Sequence, residues 1–219
     1  MARVRAADYD GKRQAILARS AALFAQRSYD RTSMAELAAA CGMSKALLYH
    51  YHASKETLLF DILRDHLQVL IDTLAAVDRN LPPHPRLRAL ARALLTAYRD
   101  ADDEHKIQIN ELGKLPRHRQ KVLKDLERSL VATFADAVAA VHPAAADDPS
   151  LIKPLTMSLF GMLNWHYLWF RDTGALSRED YADLAATLLI AGAEAAIAGR
   201  RPAMTAKPPA RRAEAVRGG

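Results

Sequence analysis

At 219 residues, half of them hydrophobic, the chain is long enough to bury a core of one or two domains. Its 31 Lys and Arg outweigh 25 Asp and Glu, and a single cysteine, Cys41, excludes an intrachain disulfide or a cysteine-rich metal site. No uncharged apolar run reaches about 18 residues, and the N-terminal MARVRAADYDGKR lacks the apolar stretch of a secretory signal, so no membrane association and a reducing, cytoplasmic setting are expected.

Glycine and proline are sparse, alanine is abundant, and helical spacing recurs without strand alternation, which predicts an all-α chain. Residues 1–9 read as a flexible basic arm. A first helix follows over about 10–27, with Ile16, Leu17, Leu23 and Phe24 inward. Ser33 with Glu36 three positions on is a capping box that should start a second helix. Gly42 falls where a tight turn between helices needs φ > 0, and Ser44 then caps a third helix, KALLYHYH, with Leu48 inward. Two short helices around a glycine turn make a helix-turn-helix whose second member is the reading helix. A long helix from Lys55 to about Val77 carries leucines and isoleucines at three- and four-residue spacing.

NLPPHP (80–85) breaks the chain, and helices are expected over about 85–99, 104–114 and 116–141. HPAAADDPS (142–150) reads as a loop, with Asp148 capping and Pro149 at the first position of a helix to about Arg171. Ser177 and Asp180 should cap a last helix to about Gly199, and the proline-rich basic stretch 200–219 reads as disordered. The resulting divisions are 1–9, a helix-turn-helix DNA-binding domain over 10–56, a helical body over 57–199, and the tail. Net charge follows them: +4 over residues 1–60, −3 over 61–199 and +5 over 200–219, the distribution of a polyanion-binding end on an acidic body.

The run from Leu23-Phe24-Ala25 to Ser28-Tyr29-Asp30-Arg31-Thr32-Ser33, together with Ser44-Lys45-Ala46-Leu47-Leu48-Tyr49-His50-Tyr51-His52-Ala53-Ser54-Lys55-Glu56-Thr57-Leu58-Leu59, resembles the N-terminal domain of TetR-type transcriptional repressors over about residues 10–60. Two positions depart from that pattern. Ser28 stands where the family has a glycine after the first helix, which predicts a poorer C-cap, and His52 stands where it has an aromatic. Farther on, Asn164-Trp165-His166-Tyr167-Leu168-Trp169-Phe170-Arg171 and Gly174-Ala175-Leu176-Ser177-Arg178-Glu179-Asp180 resemble the C-terminal part of a subgroup of that family. That likeness implies inducers that are acyl-CoA or aryl-CoA thioesters, from catabolism of aromatic acids or steroid fragments. The family resemblance assigns effector binding and dimerisation to the body, 57–199.

A DNA reader needs groups that reach base edges, flanked by groups that hold phosphates. Lys45 and His50 suit guanine acceptors and Leu47 a thymine methyl, while Ser33, Ser44, Tyr49, Tyr51 and Lys55 suit phosphates. For a CoA thioester, two basic runs are candidates for the phosphates: Arg88 and Arg92 with Arg99, and Arg117, Arg119, Lys121, Lys124 and Arg128. Phe134, Met157, Phe160, Trp165 and Trp169 are candidates for the acyl end. The same runs also fit solvated faces and core packing, leaving open a regulator that senses a hydrophobic drug, or a helical protein-interaction module. His50 and His52 face apart at i, i+2, so no metal is expected. With no Gly-rich phosphate loop, G-x-S-x-G or H-E-x-x-H, neither an enzyme nor a cofactor is expected. Gly161, Ala182, Ala185, Ala186, Gly192 and Ala193, with Leu159, Leu188 and Leu189, read as a small-residue surface for a homodimer or as residues buried inside a monomer. The family resemblance favours the homodimer, whose two heads would match a palindromic operator of double-stranded DNA.

Overall fold

The computed structural model describes residues 2–99, 101–146 and 149–199, and over these the chain is all-helical. The tail 200–219 and the Asp148 cap lie outside the described residues. In chain order the helices are α1 (Ala2–Arg27), α2 (Met34–Ala40), α3 (Lys45–Tyr51), α4 (Lys55–Ala75), α5 (Pro83–Tyr98), α6 (Asp102–Glu111), α7 (Arg117–Val141), α8 (Pro143–Ala146), α9 (Pro149–Asn164) and α10 (Arg178–Ala198), with 3-10 turns at Leu112–Lys114 and His166–Leu168.

Local signals set most of the boundaries. Ser33 Oγ accepts from the Glu36 backbone N–H while the Glu36 carboxylate accepts from the Ser33 N–H at 2.8 Å, closing the capping box of α2. Gly42 turns the chain at φ 67°. Ser44, Ser54 and Ser177 each cap the next helix through the side-chain oxygen. Three boundaries differ from expectation. Residues 2–9 are not an arm: the alanine- and arginine-containing stretch has no helix breaker before Gly11, and α1 starts at Ala2. Within 142–150, α8 adds one helical turn. Finally, α9 stops at Asn164 instead of reaching Arg171, and side chains take its last carbonyls. Tyr181 Oη donates to Met162 O (2.9 Å), His166 Nδ1 to Leu163 O (2.8 Å) and His105 Nε2 to Asn164 O (3.0 Å). These donors satisfy terminal carbonyls that have no intrahelical partner.

The helices form a small head (α1–α3) and a larger body (α5–α10), with α4 shared between them. Ile16, Leu17, Phe24, Leu37 and Leu48 bury the head's core. Along α4, Leu58, Leu59, Ile62 and Leu63 are buried near the head, and Leu67, Leu70 and Leu74 continue into the body. Each such side chain is worth roughly 1.5–3 kcal/mol of burial. α10 is the sole helix among the described residues with the length and apolarity of a membrane span. It carries Asp183 and Glu194 and packs an alanine face (Ala182, Ala185, Ala186, Ala193) into the body.

Polar rings fill the junction of α4, α5, α6 and the 166–168 turn. His66, Tyr98, His105 and His166 are all buried, with Tyr98 and His105 ring centroids 4.1 Å apart. His166 donates through Nδ1 and faces the buried Arg178 guanidinium through Nε2 at 3.2 Å, so it is the neutral Nδ1–H tautomer. Burial pushes His66 down to about 3, aided by His105, and His105 down to about 4.

Two predictions follow from this packing. Ser28 sits at φ 70°, the left-handed conformation that glycine adopts without cost, while its N–H closes α1 on Phe24 O at 2.8 Å. Ser28→Gly should therefore stabilise the protein by about 1 kcal/mol in denaturant unfolding. Separately, His66 and His105 stay neutral when folded but take up protons near pH 6.5 when unfolded. Stability should be full above about pH 6.5 and fall toward pH 4, by up to about 1.4 kcal/mol per pH unit for each histidine. Urea midpoints measured from pH 7.5 to 4.5 read this directly; a flat profile would contradict the neutral core.

Candidate nucleic-acid interface

α3 presents one residue inward and the others outward. Leu48 is fully buried, whereas Lys45, Leu47, Tyr49 and His50 are exposed, with Leu47 and Tyr49 each above two-fifths. Lys45 Nζ lies 5.9 Å from the centre of the Tyr49 ring, so the cation and the phenol occupy one outward ridge. Among the described residues, Lys45 and Tyr49 make no hydrogen bond or ion pair to another group of the head through their side chains.

Other predicted contacts have prior work to do. Ser33 and Ser44 are exposed, but their oxygens accept helix N–H groups as caps. Tyr51 stacks on Tyr9 of α1 at 4.8 Å and is half-buried, leaving less of the phenol to face a phosphate. Lys55 is turned inward: Nζ donates to Tyr29 O and Thr32 O, both at 2.9 Å, and sits 4.2 Å over the Tyr29 ring. It ties α4 to the α1–α2 loop. His52 is buried, and its Nδ1 donates to Asp61 at 3.2 Å because a carboxylate can only accept. Asp61 also faces Arg13 (3.6 Å) and Arg64 (3.4 Å), and Asp65 takes Arg13 at 2.8 Å. This α1–α4 ion network was not among the expected residues. The visible clue was Asp61 and Asp65 sharing a face of α4 one turn apart.

The body grips the head at the same loop. The Tyr29 N–H donates to Glu111 at 3.2 Å, Lys114 pairs with Asp30, and Arg119 pairs with Glu56 at 3.0 Å while donating to Thr57 Oγ1 at 3.1 Å. Arg119 also covers the Phe60 ring.

The predicted effector residues do not converge. Arg88 donates to Asp183 O (3.1 Å) and Thr187, Arg92 forks onto Asp183, and Arg99 pairs with Glu179 (2.9 Å), so that stripe joins α5 to α10. Lys121 and Arg128 both pair with Asp125 beside them, while Arg117 and Lys124 are exposed. Phe134 and Phe160 are a buried edge-to-face pair, 5.0 Å between centroids, whereas Met157, Trp165 and Trp169 are about half exposed on the outside. The body does contain a recess of about 230 Å³ between α4, α5 and α7, whose lining includes Ile71, Leu74 and Leu90, two arginines, Arg79 and Arg86, and one carboxylate, Asp136. The buried Arg86 Nε has no partner there. Sequence inspection missed this arginine because it stands outside both basic runs.

Of the small-residue surface, Ala182, Ala185, Ala186, Ala193, Leu159 and Leu189 are consumed inside the monomer. Gly161 and Gly192 instead face open space, next to exposed Met157, Trp165, Leu184 and Leu188.

A three-helix head with an outward second helix, fixed to a separate helical body, defines a helix-turn-helix DNA-binding regulator. Family models agree: residues 16–62 match the bacterial regulatory proteins of the tetR family, and residues 80–193 match the tetracyclin repressor-like C-terminal domain. A TetR-family transcriptional regulator from Bordetella parapertussis 12822 is 34% identical, covering 81% of this chain and 93% of its own, with a TM-score of 0.77. AibR, in a crystal with isovaleryl coenzyme A and operator DNA, is 31% identical over 82% of this chain and 98% of its own, TM-score 0.72. The transcriptional repressor KstR2 of Mycobacterium tuberculosis is 24% identical over 190 residues, 85% of this chain and 95% of that protein. The chain belongs to the TetR family: it is a DNA-binding transcriptional repressor and not an enzyme.

Replacing Lys45 or Tyr49 by Ala should weaken duplex binding about tenfold, and Lys45→Ala should also relax the preference for guanine at the position it reads. Lys55→Met should act differently, lowering unfolding stability by about 1–3 kcal/mol as two carbonyls lose their donor. Fluorescence anisotropy on duplexes with and without that guanine, with melts of each variant, separates the two roles.

Proposed function

We propose that two copies of this chain bind a palindromic operator, one α3 per half-site, and that a CoA thioester entering the body releases them. The exposed ridge of Lys45, Leu47, Tyr49 and His50 on a helix with a single buried residue carries the DNA part. Ser33, Ser44 and Tyr51 contribute at its edge. Such a protein works where the chromosome is, in the cytoplasm.

Dimerisation is supported by the open face of α9 and α10. Glycine inside a helix costs about 0.5–1 kcal/mol relative to alanine, and Gly161 and Gly192 gain nothing for it within the monomer. Close approach of a second copy along this face, burying Leu184 and Leu188, supplies the compensation and places two heads on one side.

For the effector, the support is AibR's isovaleryl coenzyme A together with the α4–α5–α7 recess. Ile71, Leu74 and Leu90 suit a short acyl chain, and Arg79 with Arg86 suits phosphate. At about 230 Å³ the recess lies below the roughly 300–1,000 Å³ of drug-sized sites. It therefore favours a short branched acyl group over a fused-ring one. Arg119–Glu56, Lys114–Asp30 and Tyr29–Glu111 then transmit any displacement of α6 or α7 to the head. Release requires that the thioester bind the DNA-free arrangement more tightly than the DNA-bound one.

Titrating short-chain acyl-CoA esters into the protein–operator complex should dissociate it, and Arg86→Met should raise the concentration needed about tenfold. Esters that bind nowhere and never weaken operator binding would sink this effector class. Gly192→Trp should shift sedimentation from dimer to monomer and leave helicity unchanged.

A further inference from the structure

A second recess, about 410 Å³, opens between α1 of the head, the shared helix α4 and α6 of the body. Leu17, Ala18, Ile62 and Val69 give it apolar walls, and its polar groups include His66 and Glu104. His66 is only 6% exposed, and its Nε2 is buried without a hydrogen-bond partner. A buried ring nitrogen without a partner, on a residue that lines the recess, is a cost that a ligand donor reaching it would remove.

The charged residues that line it directly are two carboxylates, Asp65 and Glu104, with Arg13 and Arg64 set behind Asp65. Glu104 stands beside Asp102 and Asp103 in the first turn of α6, and no lysine or arginine is among the lining residues. Burial, with those two aspartates, pushes the Glu104 carboxyl up from its ordinary range, so a cation beside it is favoured. The other lining carboxylate, Asp65, is already held by Arg13 and Arg64. Burial keeps His66 neutral, so one of its ring nitrogens is an acceptor, taken here to be Nε2.

From this geometry we propose that the α1–α4–α6 recess is a binding site for a small amine with an apolar body. The ammonium donates to the Glu104 carboxylate and to His66 Nε2, and the hydrocarbon lies against Leu17, Ile62 and Val69. The site is distinct from the α4–α5–α7 recess and has the opposite preference: its acidic lining repels the phosphates of a CoA ester. Because α1 belongs to the head and α6 to the body, an occupant spans the junction on which head orientation depends.

Benzylamine serves as the probe, with benzyl alcohol and benzoate as neutral and anionic controls, measured by calorimetry and ligand-observed NMR on the full chain without DNA. Saturable binding of benzylamine, with the alcohol at least about tenfold weaker and benzoate absent, is the expected result. Glu104→Gln should weaken the amine about tenfold. Ala18→Trp, at an exposed position on the α1 wall, should abolish binding without unfolding the head. Arg86→Met should leave it unchanged. No saturable binding, equal binding of all three probes, or binding indifferent to both Glu104→Gln and Ala18→Trp overturns the site. Since no operator or thioester enters the measurement, failure here leaves the acyl-CoA reading untouched, and the reverse also holds.

Discussion

A single helix belongs to both cores of this protein, and the first turn of that helix is held by groups from both sides. α4 runs about 31 Å without a break. At its start the Lys55 ammonium satisfies two carbonyls of the α1–α2 loop, while Glu56 and Thr57 receive Arg119 from α7. The head therefore cannot tilt on the body by flexing a linker. Any reorientation must exchange these charge-assisted bonds for others, which makes the junction a set of discrete arrangements.

The neighbouring contacts share that logic. Glu111 holds the Tyr29 N–H and Lys114 holds Asp30, so α6 and the turn after it touch the loop that α7 touches through α4. On the opposite side of the head, Arg13 with Asp61 and Asp65 secures α1 to α4. Partly buried ion pairs add modest net stability, but breaking one partner is expensive. They serve here to hold orientation, while the leucines of α4 supply cohesion. Immediately below lies the buried ring cluster of Tyr98, His105 and His166, in which neutral imidazoles occupy space that leucine would fill in a simpler bundle. Polar groups of that kind give the junction specific partners rather than maximal stability.

The legible features in the chain were those set within a few residues. Ser33 with Glu36, Gly42, Ser44 and Ser177 each act over one turn, and each forms the cap or turn its residue type demands. The positive φ at Ser28 could likewise be anticipated from a serine standing in a glycine's place. The basic stripes could not be read in this way. Arg92 meets Asp183 some ninety positions away, and Arg99 meets Glu179, so helical spacing alone made them look like free cations. The inward bonds of Lys55 were hidden for the same reason, its acceptors being carbonyls that any sequence supplies. Aromatic character was equally silent on burial: Phe134 and Phe160 pair in the core while Trp165 and Trp169 lie outside.

By itself the sequence determined the helical class, the helix-turn-helix and which face of α3 is outward, because capping, glycine geometry and apolar spacing are local and periodic. Tertiary structure alone decided which charges are spent on packing and which remain for a ligand. It also decided that α9 ends at Asn164, where side chains from α6, α10 and the following turn take its carbonyls. The physical reason is the same in each case. A charge or a carbonyl is satisfied by whatever the fold brings within about 3 Å, and that neighbour is chosen by the packing of distant helices rather than by the residues beside it in the chain.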